Sequence, residues 1–167
     1  MVSGSSREER DLLSDPLVAE LLGARLIANL ATINRDGTVH LVPLWFLWQA
    51  PHVLLPTNQA TRKVRNIERA PNVTIMIDDS RGGFDLRGVT LIGEAVIDRG
   101  PAASITNREI HLKYLTEVGR DLSLVERYLS TDDVTVRFTI VHASSWNLRD
   151  TPQGAAVREL GAGRPLD

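Results

Sequence analysis

The sequence contains no cysteine. That removes disulfides, thiolate metal sites and cysteine nucleophiles together, and it suits a reducing cytoplasm. Aromatic residues make up only 5% of the chain, so two tryptophans three positions apart, Trp45 and Trp48, stand out. Neither sign of charge is in large excess. A net charge of −2 gives no general pull towards nucleic acid or an anionic membrane, so any anion site has to be local. No stretch approaches the ~18 apolar residues that a membrane span needs. Met1 to Arg10 reads as a flexible polar arm with no apolar run of the signal-peptide kind behind it. The expectation is a soluble, cytoplasmic protein.

Several chemistries lack their motifs. There is no G-x-G-x-x-G after a strand, no G-x-x-x-x-G-K-[ST] and no G-x-S-x-G nucleophile elbow. The four histidines, His40, His52, His111 and His142, are scattered without an H-E-x-x-H pair, which argues against zinc. Redox chemistry stays open, because a cofactor can supply the reactive atom.

What is present reads as a mainly β domain over residues 1–150, followed by a Gly-, Pro- and Ala-rich tail, 151–167, expected to be flexible. Asp15-Pro16 starts a helix that Gly23 stops. Leu26 to Ile33 is β-prone, Asp36-Gly37 is a hairpin turn, and Thr38 to Trp48 returns as one strand, on which Trp45 and Trp48 would face opposite sides. His52 to Thr57 is the next strand, and a short helix runs from about Ala60 to Arg69. Val73 to Ile77 and Leu86 to Asp98 are strands, and helical patterns follow Gly100-Pro101. In Val134 to Trp146, the residues Val134, Val136, Phe138 and Ile140 share one face. Short turns favour antiparallel pairing and closure into a barrel.

The most informative segment is Thr57 to Asn66. Arg62, Lys63 and Arg65 crowd the start of the helix, where positive partial charge already sits and acidic residues are usual. Each exposed cation there costs roughly 0.3–1 kcal/mol. Thr57, Asn58 and Thr61 add short hydrogen-bonding side chains. Together they form a phosphate site, or else a solvated basic face balanced by Glu68. Beside it, Val42-Pro43-Leu44-Trp45-Phe46-Leu47-Trp48 is an apolar wall suited to a flat ring, or simply barrel core.

In this order, Leu26–Ile33, Asp36-Gly37, Val42-Pro43-Leu44-Trp45-Phe46, Thr57-Asn58, Thr61-Arg62-Lys63, Asn66-Ile67 and Pro71-Asn72-Val73 resemble the pyridoxamine 5'-phosphate oxidase-like family of flavin and deazaflavin oxidoreductases. The resemblance covers about residues 16 to 98, with a weaker echo at Ser144-Ser145-Trp146. It implies a six-stranded antiparallel, Greek-key split β-barrel that pairs as a homodimer with cofactors at the interface. Thr57, Thr61, Arg62 and Lys63 would hold the cofactor phosphate, Val42 to Trp45 would line the ring, and Trp146 would reach it from the partner. The region Ser144 to Asp150 lacks the arginine- and histidine-bearing set with which pyridoxamine oxidases grip their substrate, which argues against vitamin B6 oxidation. The implied activity is hydride transfer between coenzyme F-420 or FMN and a small organic substrate. Arg65, Arg69, Arg81 and Arg87 are extra cations for the anionic tail of F-420. The alternative is a non-catalytic flavin or haem carrier on the same fold. Tyr114 and His111 are candidate proton donors, or else helix surface.

Overall fold

The computed structural model describes residues 15–165, and the polar arm expected at Met1 to Arg10 lies outside them. Helix α1 (Pro16–Gly23) starts as the sequence predicts, with Asp15 accepting from the Leu17 N–H at 2.9 Å. Its Val18, Leu21 and Leu22 are fully buried against the barrel core. Strands β1 (Ala28–Ile33) and β2 (Val39–Leu44) form the expected hairpin. Gly37, at φ 82°, makes the turn possible, while Asp36 accepts from the Thr38 N–H and hydroxyl.

The stretch Thr38 to Trp48 is not one strand. It breaks at Trp45-Phe46, and the chain resumes as β3 (Leu47–Gln49) before β4 (His52–Thr57). After α2 (Arg62–Arg69) come β5 (Asn72–Asp78) and the long β6 (Arg87–Arg99). Three helices follow, α3 (Pro101–Tyr114), α4 (Glu117–Arg120) and α5 (Ser123–Leu129), and then β7 (Val134–Asn147). The sheet is antiparallel throughout in the order β2-β1-β5-β6-β7-β4-β3, so it has seven strands rather than six.

The break explains the shape. β2 and β3 occupy opposite edges of the sheet, yet Leu44 and Leu47 are three residues apart in the chain. Three residues span at most roughly 10 Å. The two edges must therefore curl towards one another, giving a split barrel whose seam is crossed by Trp45 and Phe46. Phe46 turns inward and is fully buried, and Trp45 lies outside any strand.

Alternation places Leu30, Ile75, Ile77, Leu91, Val136 and Phe138 inside. Val134 joins them and Ile140 packs at the margin, as its strand pattern requires. The tail expected to be loose carries a further helix, α6 (Pro152–Glu159). Its start is fixed by Pro152 in the first turn and by the Thr151 hydroxyl, which accepts from the Gly154 N–H. No helix among the described residues is long and apolar enough to cross a membrane.

Candidate functional site

A cavity of about 560 Å3 opens at the barrel seam. It is lined by Pro43, Leu44 and Trp45 from the end of β2, by Thr57, Asn58, Thr61 and Lys63 from the β4–α2 segment, and by Tyr128, Leu129, Thr131 and Asp132 ahead of β7. The Lys63 ammonium donates to the buried Thr57 hydroxyl at 2.9 Å. It is half-buried and makes no ion pair among the described residues. Burial holds its pKa below the ordinary lysine value, and the charge of Asp132 offsets this only in part. Asn58 shapes the rim, donating to the Thr131 carbonyl at 2.7 Å and accepting from the Ala60 N–H at 2.8 Å.

The Trp45 wall has its own supports. Tyr114 of α3 stacks on the indole with ring centres 5.0 Å apart and planes 4° from parallel, and His111 meets it edge-on at 6.2 Å. The Tyr114 hydroxyl donates to the Leu26 carbonyl at 2.6 Å and receives the Phe46 N–H at 3.3 Å. Burial pushes its pKa up. His111 is buried with Nε2 3.1 Å from Asp132 Oδ2. These two residues, candidate donors from the sequence, thus brace the wall. Asp132, Ile27, Pro56 and Leu129 also line the cavity, and no local spacing in the sequence points to them.

Three of the expected site residues do not line this cavity within the single chain, and one of them, Trp146, is expected from the partner. Val42 packs against the core. Arg62 is exposed and lines a separate cleft between α2 and the β1–β2 turn. Trp146 sits near the far end of β7 against Gly88, which has no room for a Cβ beside the indole. Arg81 and Arg87, offered as tail cations, are instead paired with Asp79, and Arg87 also with Glu20. Arg149, just beyond the end of β7, is held by Asp79 and Asp85 and so serves the structure. No cluster of metal-ligating side chains occurs among the described residues.

The family model of pyridoxamine 5'-phosphate oxidase matches residues 14–147. The chain belongs to this family. No curated protein matches it in sequence. Its fold is shared with proteins of known structure. A conserved hypothetical protein from Mycobacterium tuberculosis is 26% identical, with 81% of this chain and 85% of that one covered at a TM-score of 0.68. An F-420 reductase is 24% identical over 75% of this chain and 94% of its own, with a TM-score of 0.59. The haem storage protein of Vibrio cholerae is 15% identical over 80% and 93%, with a TM-score of 0.60. The split barrel therefore serves both a reductase and a haem-storing protein.

The residues around the seam fit a phosphate-bearing flavin-type group. A half-buried ammonium outside any ion pair, the Thr57 hydroxyl that accepts from it and keeps its own proton to donate, and a flat indole wall suit such a ligand, while the Thr61 hydroxyl is already donated to the Asn58 carbonyl at 2.8 Å.

Proposed function

We propose that this chain is an oxidoreductase that seats F-420 or FMN in the seam cavity and moves hydride between that cofactor and a small organic substrate. The ring supplies the hydride chemistry when bound. Placement and electrostatics fall to the protein. Lys63, with Thr57 and Thr61, would hold the phosphate, and Arg62 at the start of α2 would add long-range attraction. Pro43, Leu44 and Trp45, continuing the backbone of Val42, would orient the ring and keep water away. The observation that carries the reading is Lys63, a half-buried cation aimed at Thr57 inside a cavity walled by Trp45.

We also propose a homodimer with the cavity at its interface, completed by Trp146 of the partner subunit. The outer face of the sheet supports this. Leu41, Ala31, Thr74 and Ile92 form one row by register, with Leu41 61% and Ile92 46% exposed. Pro43, Asn29 and Met76 form the next row, and Pro43 also lines the cavity. A second copy over this face would bury apolar surface and close the cavity in one step.

A competing reading, a non-catalytic carrier of flavin or haem, draws on a specific observation. The Tyr114 hydroxyl and the His111 imidazole beside the wall are already engaged, by Leu26 and Asp132. Absorption titrations of the purified protein with FMN and F-420, followed by turnover of the reduced cofactor with enones, quinones and nitro compounds, separate the two. Binding with turnover supports the oxidoreductase, binding without it the carrier. Absence of binding defeats the oxidoreductase and the flavin carrier, a parallel titration with haem tests the haem carrier, and sedimentation velocity tests the dimer.

A further inference from the structure

Away from the seam cavity, the last turn of α3 carries a second half-buried amine, that of Lys113. Its surroundings differ from those of Lys63, which donates to the Thr57 hydroxyl and feels the charge of Asp132. Among the described residues, Lys113 makes neither a hydrogen bond nor an ion pair. Its ammonium lies over two aromatic rings instead, 4.0 Å from the centre of Phe46 and 5.5 Å from that of Tyr114. The carboxylates nearest in the chain are taken. Glu109 stands one helical turn earlier, where a Glu–Lys pair is usual, but it accepts from Gln49 Nε2 at 3.2 Å. Glu117 is paired with Arg108 at 3.4 Å.

The rings and the helix C-terminus both attract a cation, yet neither supplies the oxygen acceptors that water gives an ammonium. Burial outweighs them and lowers the pKa to about 8. Because the side chain is only half-buried, Nζ stays within reach of molecules in solution. A neutral, reachable primary amine is a nucleophile, whereas a lysine held as ammonium has no lone pair to offer.

We infer that Lys113 is a modification site that takes an activated acyl group, of the kind carried by acyl phosphates and acyl thioesters. The Nζ lone pair attacks the acyl carbon and an N–C bond forms. The C–O bond of the acyl phosphate, or the C–S bond of the thioester, breaks. Phosphate or thiolate leaves with the electron pair, the Nζ proton passes to solvent, and nothing is oxidised or reduced. The product amide is neutral, so it suits the two rings better than the ammonium does. Phe46 crosses the seam and Tyr114 stacks on Trp45, so the modification bears on the supports of the cavity wall. The site does not depend on the cofactor reading, because acylation there needs no ligand in the seam cavity.

The test is incubation of the full chain at pH 7.5 with acetyl phosphate and, separately, with acetyl-CoA, followed by peptide mass spectrometry. Lys113 should be acetylated about tenfold or more faster in the folded chain than in the chain unfolded by guanidinium, since each unit by which the pKa falls multiplies the neutral fraction about tenfold. Lys63 in the folded chain should lag behind it. Labelling by one donor alone identifies the source and supports the site. In Lys63→Arg, where Lys113 is the one lysine left, acetylation should raise the denaturant midpoint at pH 7 by removing a poorly hydrated charge. Lys113→Arg, given the same treatment, should keep the midpoint it had before. The inference is overturned if neither donor labels Lys113, if it reacts no faster folded than unfolded, or if its acetylation fails to raise the midpoint.

Discussion

Trp45 lies flat on Tyr114, although 68 residues separate Tyr114 from the neighbouring Phe46 whose N–H it receives. The stack holds the indole where the two edges of the sheet meet, so the cavity wall is set by a helix that follows six of the strands. Tyr114→Phe keeps the ring but leaves the Leu26 carbonyl and the Phe46 N–H without their partner. The expected cost is about 1–3 kcal/mol of stability in a denaturant titration, with cofactor affinity close to wild type. Tyr114→Ala removes the stack, and cofactor affinity should fall by about tenfold or more, with a change in Trp45 fluorescence.

Lys63 and Arg62 are neighbours in the sequence and diverge in space. If the buried cation holds the phosphate, Lys63→Gln should cost about 1.5–3 kcal/mol of binding, roughly 10- to 150-fold in Kd. Arg62→Ala should weaken binding by at least ~1.5 kcal/mol if it makes a charge-assisted phosphate bond of its own, and by less if it acts only through the field. Absorption titrations of both variants with FMN rank the two residues. A larger loss at Arg62 would move the phosphate towards the cleft that Arg62 lines.

Periodicity is enough to read β1, β4, β5, β7 and the helices α1 and α3, because each is a run whose apolar face is local. The seam was not legible. Whether Thr38 to Trp48 continues or breaks depends on curvature of the whole sheet, and Trp45 and Phe46 are apolar in either case. The same holds for the site. Thr57, Asn58, Thr61 and Lys63 lie in one segment and were found together, whereas Asp132 arrives from a chain turn about seventy residues later, held by the Asn58–Thr131 and Gln59–Asp133 hydrogen bonds. The divergence of Arg62 from Lys63 follows from helical geometry, which points adjacent side chains in different directions. The tail looked loose by composition, yet Thr151 and Pro152 are a cap and a first-turn proline.

Asp132 faces two ways, towards His111 and towards the cavity that holds Lys63. Its carboxylate raises the Lys63 pKa and also repels an incoming phosphate. Asp132→Asn should therefore improve affinity for an anionic cofactor severalfold. It should also cost about 1–3 kcal/mol of stability, because buried His111 loses a charged partner. Parallel binding and unfolding measurements check the opposite signs. Weaker binding would mean that Asp132 positions Lys63 more than it repels the ligand.

The chain has only two lysines, Lys63 and Lys113, among nineteen basic residues. Lys113 lies over the Phe46 ring at 4.0 Å, and burial lowers its pKa to about 8. The unfolded chain keeps this proton up to the ordinary 10.5, so between about 8 and 10.5 the unfolded state binds more protons and stability rises with pH. Because the group is only half-buried, solvent screening limits the gain to about 1 kcal/mol. Lys113→Met should be more stable than wild type at pH 7 by a similar amount and should lack the rise. Denaturant midpoints at neutral pH and near pH 9.5 measure both. The same amine should acetylate readily at pH 8, since about half of it is then neutral. Mass spectrometry should find Lys113 labelled with or without FMN, and Lys63 protected by it. Protection of Lys113 would move the ligand to the far side of Phe46, away from the seam cavity.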